Sequence, residues 1–210
     1  MSEFMQRTIF TIGHSNHTIE RFIALLRQHD ITALGDVRST PYSRANPHFN
    51  REDLKSVLKR VGIAYVFLGK ELGARSEDAS CYERGKVQYD RLALTDRFRH
   101  GLDRVQEGMK KYRLALMCAE KEPLECHRAI LVGRHIAGLG IPVQHIHADG
   151  RLENQADVIN RLIHQLALPE YDMFRSHEDV LTDAYKIQES RISYSVPEAK
   201  PAVRVRSATG

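Results

Sequence analysis

Along most of this chain the hydrophobic positions switch between two spacings, and the switching predicts strands interleaved with helices. TIFTIGHS (residues 8–15) is a short β-rich run. In the stretch that follows, Ile19, Phe22, Ile23 and Leu26 fall at i, i+3, i+4 and i+7, the spacing of one helix face, with Thr18 placed to cap it. ITALGDVR (residues 31–38) reads as a second strand. A turn-rich segment leads to Asn50, a candidate side-chain cap for a helix with Leu54, Val57, Leu58 and Val61 in its core stripe and Gly62 at its end. IAYVFLG is the third strand. The polar stretch at residues 70–90 has no periodicity, and a loop of that length suits a lid or a binding loop.

A long helix is expected over residues 89–111, then a fourth strand (RLALMC), a helix over residues 126–139 and a fifth strand (IPVQHIHA). Ile159, Leu162, Ile163 and Leu166 share one face of the helix that follows. The alternation predicts a single α/β domain over residues 1–168: a mainly parallel, five-stranded, Rossmann-like open sheet with helices on both faces. Right-handed crossovers favour the strand order 3-2-1-4-5. A C-terminal helical extension is expected over residues 169–195 and a flexible tail over residues 196–210.

Composition narrows the class. Hydrophobic residues make up 42% of the 210 positions, which is globular, and no apolar run approaches the roughly 20 residues of a membrane helix. The opening stretch lacks the basic-then-apolar order of an export signal, and three cysteines cannot all pair within one chain, so a cytoplasmic setting without disulfides is expected. The formal charge is +4, but +3 of it lies from Arg191 onward. A broad basic face for nucleic acid is therefore not expected, although contact through the tail stays open. No membrane partner is expected.

The polar residues with chemical potential sit at strand ends: His14 and Ser15 after the first, Asp36 and Arg38 after the second, Cys118 and Glu120 after the fourth. In an open parallel sheet these ends share the edge where ligands bind. Cys126 opens a predicted helix, where unpaired N–H groups favour a thiolate, and Arg128 adds a fixed cation. Arg38, Arg44 and Arg128 suit an anion at that edge. Cys118 reads first as strand packing, and Cys81 as a plain exposed thiol. On a helix the side chains of Cys126 and His127 would diverge, which leaves His14 as the better-placed base. The spacing C-x7-C-H is no usual metal knuckle and adjacent ligands strain the geometry, so neither a metal nor another cofactor is expected.

The blocks TIGHS, DVRSTPYSRANPHFN, GIAYVFLGKELGAR and ALMCAEKEPLECHR resemble domain-of-unknown-function family 488. The resemblance implies a small α/β domain with signature residues at one site: His14, Ser15, Asp36, Arg38, Pro41, Ser43, Cys118, Glu120, Cys126, His127 and Arg128. It supplies no reaction. The expectation for function is an enzyme that binds a small anionic, phosphate- or nucleotide-like molecule. Cys126 would be its nucleophile or redox thiol and His14 or Glu120 its acid/base; Ser15, Asp36, Arg38, Ser43, Arg44, Cys118, His127 and Arg128 would surround the substrate. The alternatives are a nucleic-acid-associated module using the same phosphate site and a thiol redox sensor pairing Cys118 with Cys126.

Overall fold

A computed structural model describes residues 8–169 and 175–196. The first half of the chain runs β1 (Ile9–Gly13), α1 (Ile19–Gln28), β2 (Ala33–Asp36), α2 (Arg51–Arg60), β3 (Ala64–Phe67) and α3 (Gly69–Leu72). A hairpin of β4 (Tyr82–Glu83) and β5 (Lys86–Val87) precedes α4 (Tyr89–Ala93) and α5 (Asp96–Met109). The remainder is β6 (Leu114–Cys118), α6 (Arg134–Gly138), β7 (Val143–Ile146), β8 (Leu152–Asn154), α7 (Gln155–Gln165) and α8 (His177–Ile192).

The main sheet has six strands in the order β3-β2-β6-β1-β7-β8. All its pairings are parallel except β7 with β8. This corrects the expected order: the fourth of the five anticipated strands enters between the first and second. Side-chain alternation explains its central place. Leu114, Leu116 and Cys118 point into one core, Ala115 and Met117 into the other, and all five are buried. A strand apolar on both faces belongs in the middle of a sheet covered on both sides. The sixth strand, β8, has only three residues and pairs back through a tight turn at Gly150 (φ 95°).

Helices α1 and α2 cover one face through Phe22, Leu25, Leu26, Leu54 and Leu58. The other face is covered by α5, α7 and α8, with Val180, Ala184 and Tyr185 of α8 in the same cluster as Ile159 and Leu162. Thr18 caps α1 as expected, its side chain accepting the Arg21 N–H at 3.2 Å. Asn50 does not cap α2 with its side chain, because that oxygen accepts the Ser43 N–H at 2.8 Å instead. The single long helix expected over residues 89–111 is broken at Thr95, whose hydroxyl accepts the Phe98 N–H and so starts α5 afresh. Cys81 is fully buried rather than exposed, since the polar loop folds back as a hairpin over the second core. No helix among the described residues is long and apolar enough to cross a membrane. Of the anticipated tail only Val196 lies within the described residues.

A buried polar chain crosses the second core. Gln155 Nε2 donates to the Ala129 carbonyl (3.0 Å) and toward Tyr185 Oη (3.1 Å), which leaves its amide oxygen to accept from His145 Nε2 at 2.7 Å. The proton on His145 is thereby set on Nε2, and Nδ1 accepts the Thr11 hydroxyl at 2.7 Å. The chain supports a π-helical turn, Arg128–Gly133, that leads into α6. Gly133 permits this approach, because a Cβ there would stand 2.6 Å from Gln155 Oε1.

Gly13 plays the matching role at the end of β1, where a Cβ would stand 1.9 Å from the Glu120 carbonyl oxygen. Gly13→Ala must displace the backbone leading out of β6. We expect a loss of about 3 kcal/mol in urea unfolding, equivalent to a fall of roughly 6–12 °C in melting temperature. A melting curve like that of the unaltered chain would show that this loop yields freely.

Candidate active site at the carboxyl edge of the sheet

Strand β6 lies between β1 and β2, and the pairing continues past the strand ends. The N–H groups of His14, Ser15 and Val37 donate to the carbonyls of Cys118 (2.9 Å), Ala119 (2.8 Å) and Met117 (3.0 Å). His14 and Arg38 are thus set on either side of the β6 terminus. The chain then makes a 3₁₀ turn, Pro123–Glu125, and Cys126 follows in extended conformation (φ −135°, ψ 139°). Its carbonyl accepts the Ala129 N–H at 3.1 Å and its sulfur lies 3.4 Å from the Arg128 nitrogen. Cys126 is therefore the cap of the helical segment and not its first helical residue.

That local difference overturns the expectation that Cys126 and His127 diverge. An extended residue beside a helical one turns both side chains toward the same space, and Cys118 faces them from the end of β6. His127 Nδ1 lies 3.5 Å from Cys118 Sγ and 3.9 Å from Cys126 Sγ. Glu120 Oε2 lies 3.0 Å from each sulfur. His127 Nε2 donates to the Val37 carbonyl at 3.1 Å, so the lone pair of the neutral ring is on Nδ1, facing the thiols. Adjacency in sequence imposes no strain here.

The electrostatics separate the two thiols. Burial pushes the Cys118 thiol well up, reinforced by the neighbouring Cys126 and Glu120. Burial opposes ionisation of Cys126 as well, but its hydrogen bond with Cys118, the Arg128 charge and His127 outweigh it and hold this thiol well below its ordinary range. Burial and the Cys126 charge raise Glu120, while His127 is raised by Cys126 against the effect of burial. Arg128 is fully buried, and among the described residues no carboxylate forms an ion pair with it. Its Nη1 donates to the Glu120 carbonyl (2.5 Å) and Nη2 to the Lys121 carbonyl (2.9 Å), while Nε has no acceptor among the described residues. A buried cation so placed favours negative charge nearby.

A cavity of about 320 Å³ opens above this group. Of the residues singled out from sequence, His14, Arg38, Ser43, Cys118, Glu120 and His127 line it. Asp36, Cys126 and Arg128 are buried and do not line it, and neither do Ser15 and Arg44. Arg128 holds backbone and is not placed to hold an anion. Asp36 secures Arg38, accepting from Nε at 2.9 Å and Nη2 at 2.7 Å, and it also accepts the Tyr65 hydroxyl at 2.8 Å. Arg38 further donates to the Phe49 carbonyl and to His14 Nε2 at 3.2 Å. His14 Nδ1 donates to the Ser15 carbonyl (2.9 Å), so its one lone pair is already used by Arg38.

Several lining residues escaped the sequence reading. Arg75 stands at the cavity with its guanidinium 4.3 Å from the centre of the Tyr194 ring, and no carboxylate pairs with it among the described residues. Tyr194 follows α8, where Val87 N–H bonds to its carbonyl and so adds this segment to the β4–β5 hairpin. Arg75 closes the GKELGAR block and Tyr194 stands in an isolated SYS run, but only the folded chain brings the two together.

These features define an α/β open-sheet protein with two cysteines, a histidine and a glutamate gathered at the carboxyl edge of its central strand. The chain belongs to the family described as Domain of unknown function DUF488, which it matches over residues 18–134. That span contains the Cys118–Glu120–Cys126–His127 group, while His14 precedes it. No curated protein and no solved structure matches the chain.

Burial, followed by the charge of Arg38, lowers the pKa of His14 to about 4; burial and Arg128 lower His145 to about 4. Both lie below the value of about 6.5 expected in the unfolded chain. The unfolded state therefore binds more protons between these values, and stability falls as pH drops from about 6.5 toward 4. At pH 5.5, where an ordinary histidine is about nine-tenths charged, NMR of the two imidazoles should report neutral rings. Charged rings at that pH would contradict the burial described here.

Proposed function

We propose that this protein is an enzyme acting on a small anionic molecule bound in the edge cavity. The observation that carries the reading is the cavity itself, with Cys118, Glu120 and His127 at one end and Arg75 and Arg38 on its walls. Arg75 would take the anionic group, because no carboxylate among the described residues neutralises its charge as Asp36 does that of Arg38. A guanidinium presents a planar fork of donors that matches phosphate or carboxylate oxygens. Tyr42, 62% exposed at the rim, and Tyr194 supply flat aromatic surfaces, which fits a phosphorylated molecule carrying a planar ring. The reacting end would lie against the thiol, carboxylate and imidazole, where proton transfer is available within hydrogen-bond reach.

The test is binding followed by turnover. Nucleoside monophosphates, the parent nucleosides and inorganic phosphate are compared by thermal shift, and bound compounds are then incubated and followed by NMR. At about ten times Kd a ligand adds about 1.4 kcal/mol, or roughly 3–6 °C for a chain of this size. We expect phosphate-bearing compounds to produce such a shift and Arg75→Ala to remove most of it. Glu120→Gln should keep the shift and lose turnover. An equal shift in Arg75→Ala would place the anion elsewhere, and binding without turnover of any compound would make the chain a binding module.

A further inference from the structure

We infer that Cys118, Cys126 and His127 form a three-ligand site for a zinc-class divalent ion, with its open position toward the cavity. The ligating atoms of these three residues lie within 4.8 Å of one another, and all three residues are buried. Two sulfurs and an imidazole nitrogen are the donors that zinc prefers. An ion about 2.3 Å from sulfur and about 2.0–2.1 Å from nitrogen, at a tetrahedral angle, separates those donors by about 3.6 Å. The Nδ1 separations of 3.5 Å to Cys118 Sγ and 3.9 Å to Cys126 Sγ bracket that value without any refolding of the backbone.

The surroundings fit as well as the ligands. A metal-binding histidine characteristically donates its other ring N–H to an acceptor that fixes its orientation, as His127 Nε2 does to the Val37 carbonyl. The Arg128 backbone nitrogen lies 3.4 Å from Cys126 Sγ, placed to steady a bound thiolate. The charges fit too: a divalent ion offsets two thiolates in a place from which water is largely excluded. Binding requires both sulfurs as thiolates, so any proton they still carry departs to solvent. Glu120 Oε2, which sits 3.0 Å from each sulfur, is then left without an S–H donor.

Glu120 stands outside the three-residue set, and it lines the cavity together with Cys118 and His127. Three protein ligands with the fourth position open to a cavity is the pattern of catalytic rather than structural zinc, with water in the fourth place. Glu120, whose Oε2 lies 3.0 Å from each ligating sulfur, would be the carboxylate at hand to take a proton from a water held there. The inference thus sharpens the reading above toward hydrolytic chemistry, and it rests on that reading only for what the open position faces.

The full chain, reduced with a non-chelating phosphine, is titrated with cobalt(II) and, separately, purified without chelators for elemental analysis. Expected are one ion per chain, thiolate-to-cobalt charge-transfer bands and the intense visible bands of a tetrahedral ion. Zinc should displace the cobalt. Cys126→Ser and His127→Gln should lose the ion, and Glu120→Gln should retain it with the same charge-transfer bands. Absence of the thiolate bands in the unaltered chain at excess cobalt would overturn the site, whatever the variants do. Loss of the ion in a well-folded Glu120→Gln would overturn the open position, making the glutamate a fourth ligand. Metal bound without any phosphate-dependent thermal shift would leave this site standing and remove the anion reading; the shift without the metal would do the reverse.

Discussion

A guanidinium that pairs with no carboxylate among the described residues, buried beneath the end of β6, is the constraint on which the site depends. Arg128 is completely enclosed and spends its terminal donors on the carbonyls of Glu120 and Lys121. Removing a charge from water is costly unless fixed dipoles or opposite charge replace the solvent. Here the backbone supplies the dipoles, and the price is that residues 120–121 must pass directly over the arginine. Gly13 clears the way for that passage, and the same turn brings the Glu120 carboxylate over both sulfurs.

From this one anchor the rest of the edge follows. The chain between Lys121 and His127 is too short to wander, and its 3₁₀ turn delivers Cys126 extended against the end of β6. The π-helical turn behind it widens the start of the helical segment, and Gln155 meets the Ala129 carbonyl there. Widened turns of this kind recur at functional sites because they re-aim side chains without ending the helix. On the opposite flank, Asp36 fixes Arg38, which in turn takes the only lone pair of His14. His14 is thereby part of the wall that orients Arg38, with its one lone pair already engaged.

Much of the fold was legible from periodicity, because apolar spacing reports which face of an element is buried. It does not report neighbours, and for that reason strand order was misread although the five anticipated strands are present; the short strands β4, β5 and β8 were not anticipated. The placing of His14, Arg38, Cys118 and Glu120 at one sheet edge was legible for the same reason, since each ends or follows an apolar run that forms a strand. The geometry of Cys126 and His127 was not, since a few residues of extended backbone before the helix reverse the relation of adjacent side chains. Arg128 looked like an anion ligand because sequence shows its charge and hides its burial. Arg75 and Tyr194 meet only when the segment after α8 adds to the β4–β5 hairpin, and no local pattern encodes a contact between positions so far apart.

The central claim is that two thiols and an imidazole from one strand-to-helix connection converge on a single point beside the cavity. X-ray absorption at the zinc edge of the zinc-loaded chain reads that convergence directly, because the first shell reports donor types and distances. The account predicts two sulfurs at about 2.3 Å together with two lighter donors at about 2.0–2.1 Å, one of them showing the outer-shell scattering of an imidazole ring. A first shell with no sulfur would contradict it, and would mean that Cys118, Cys126 and His127 do not share one ion.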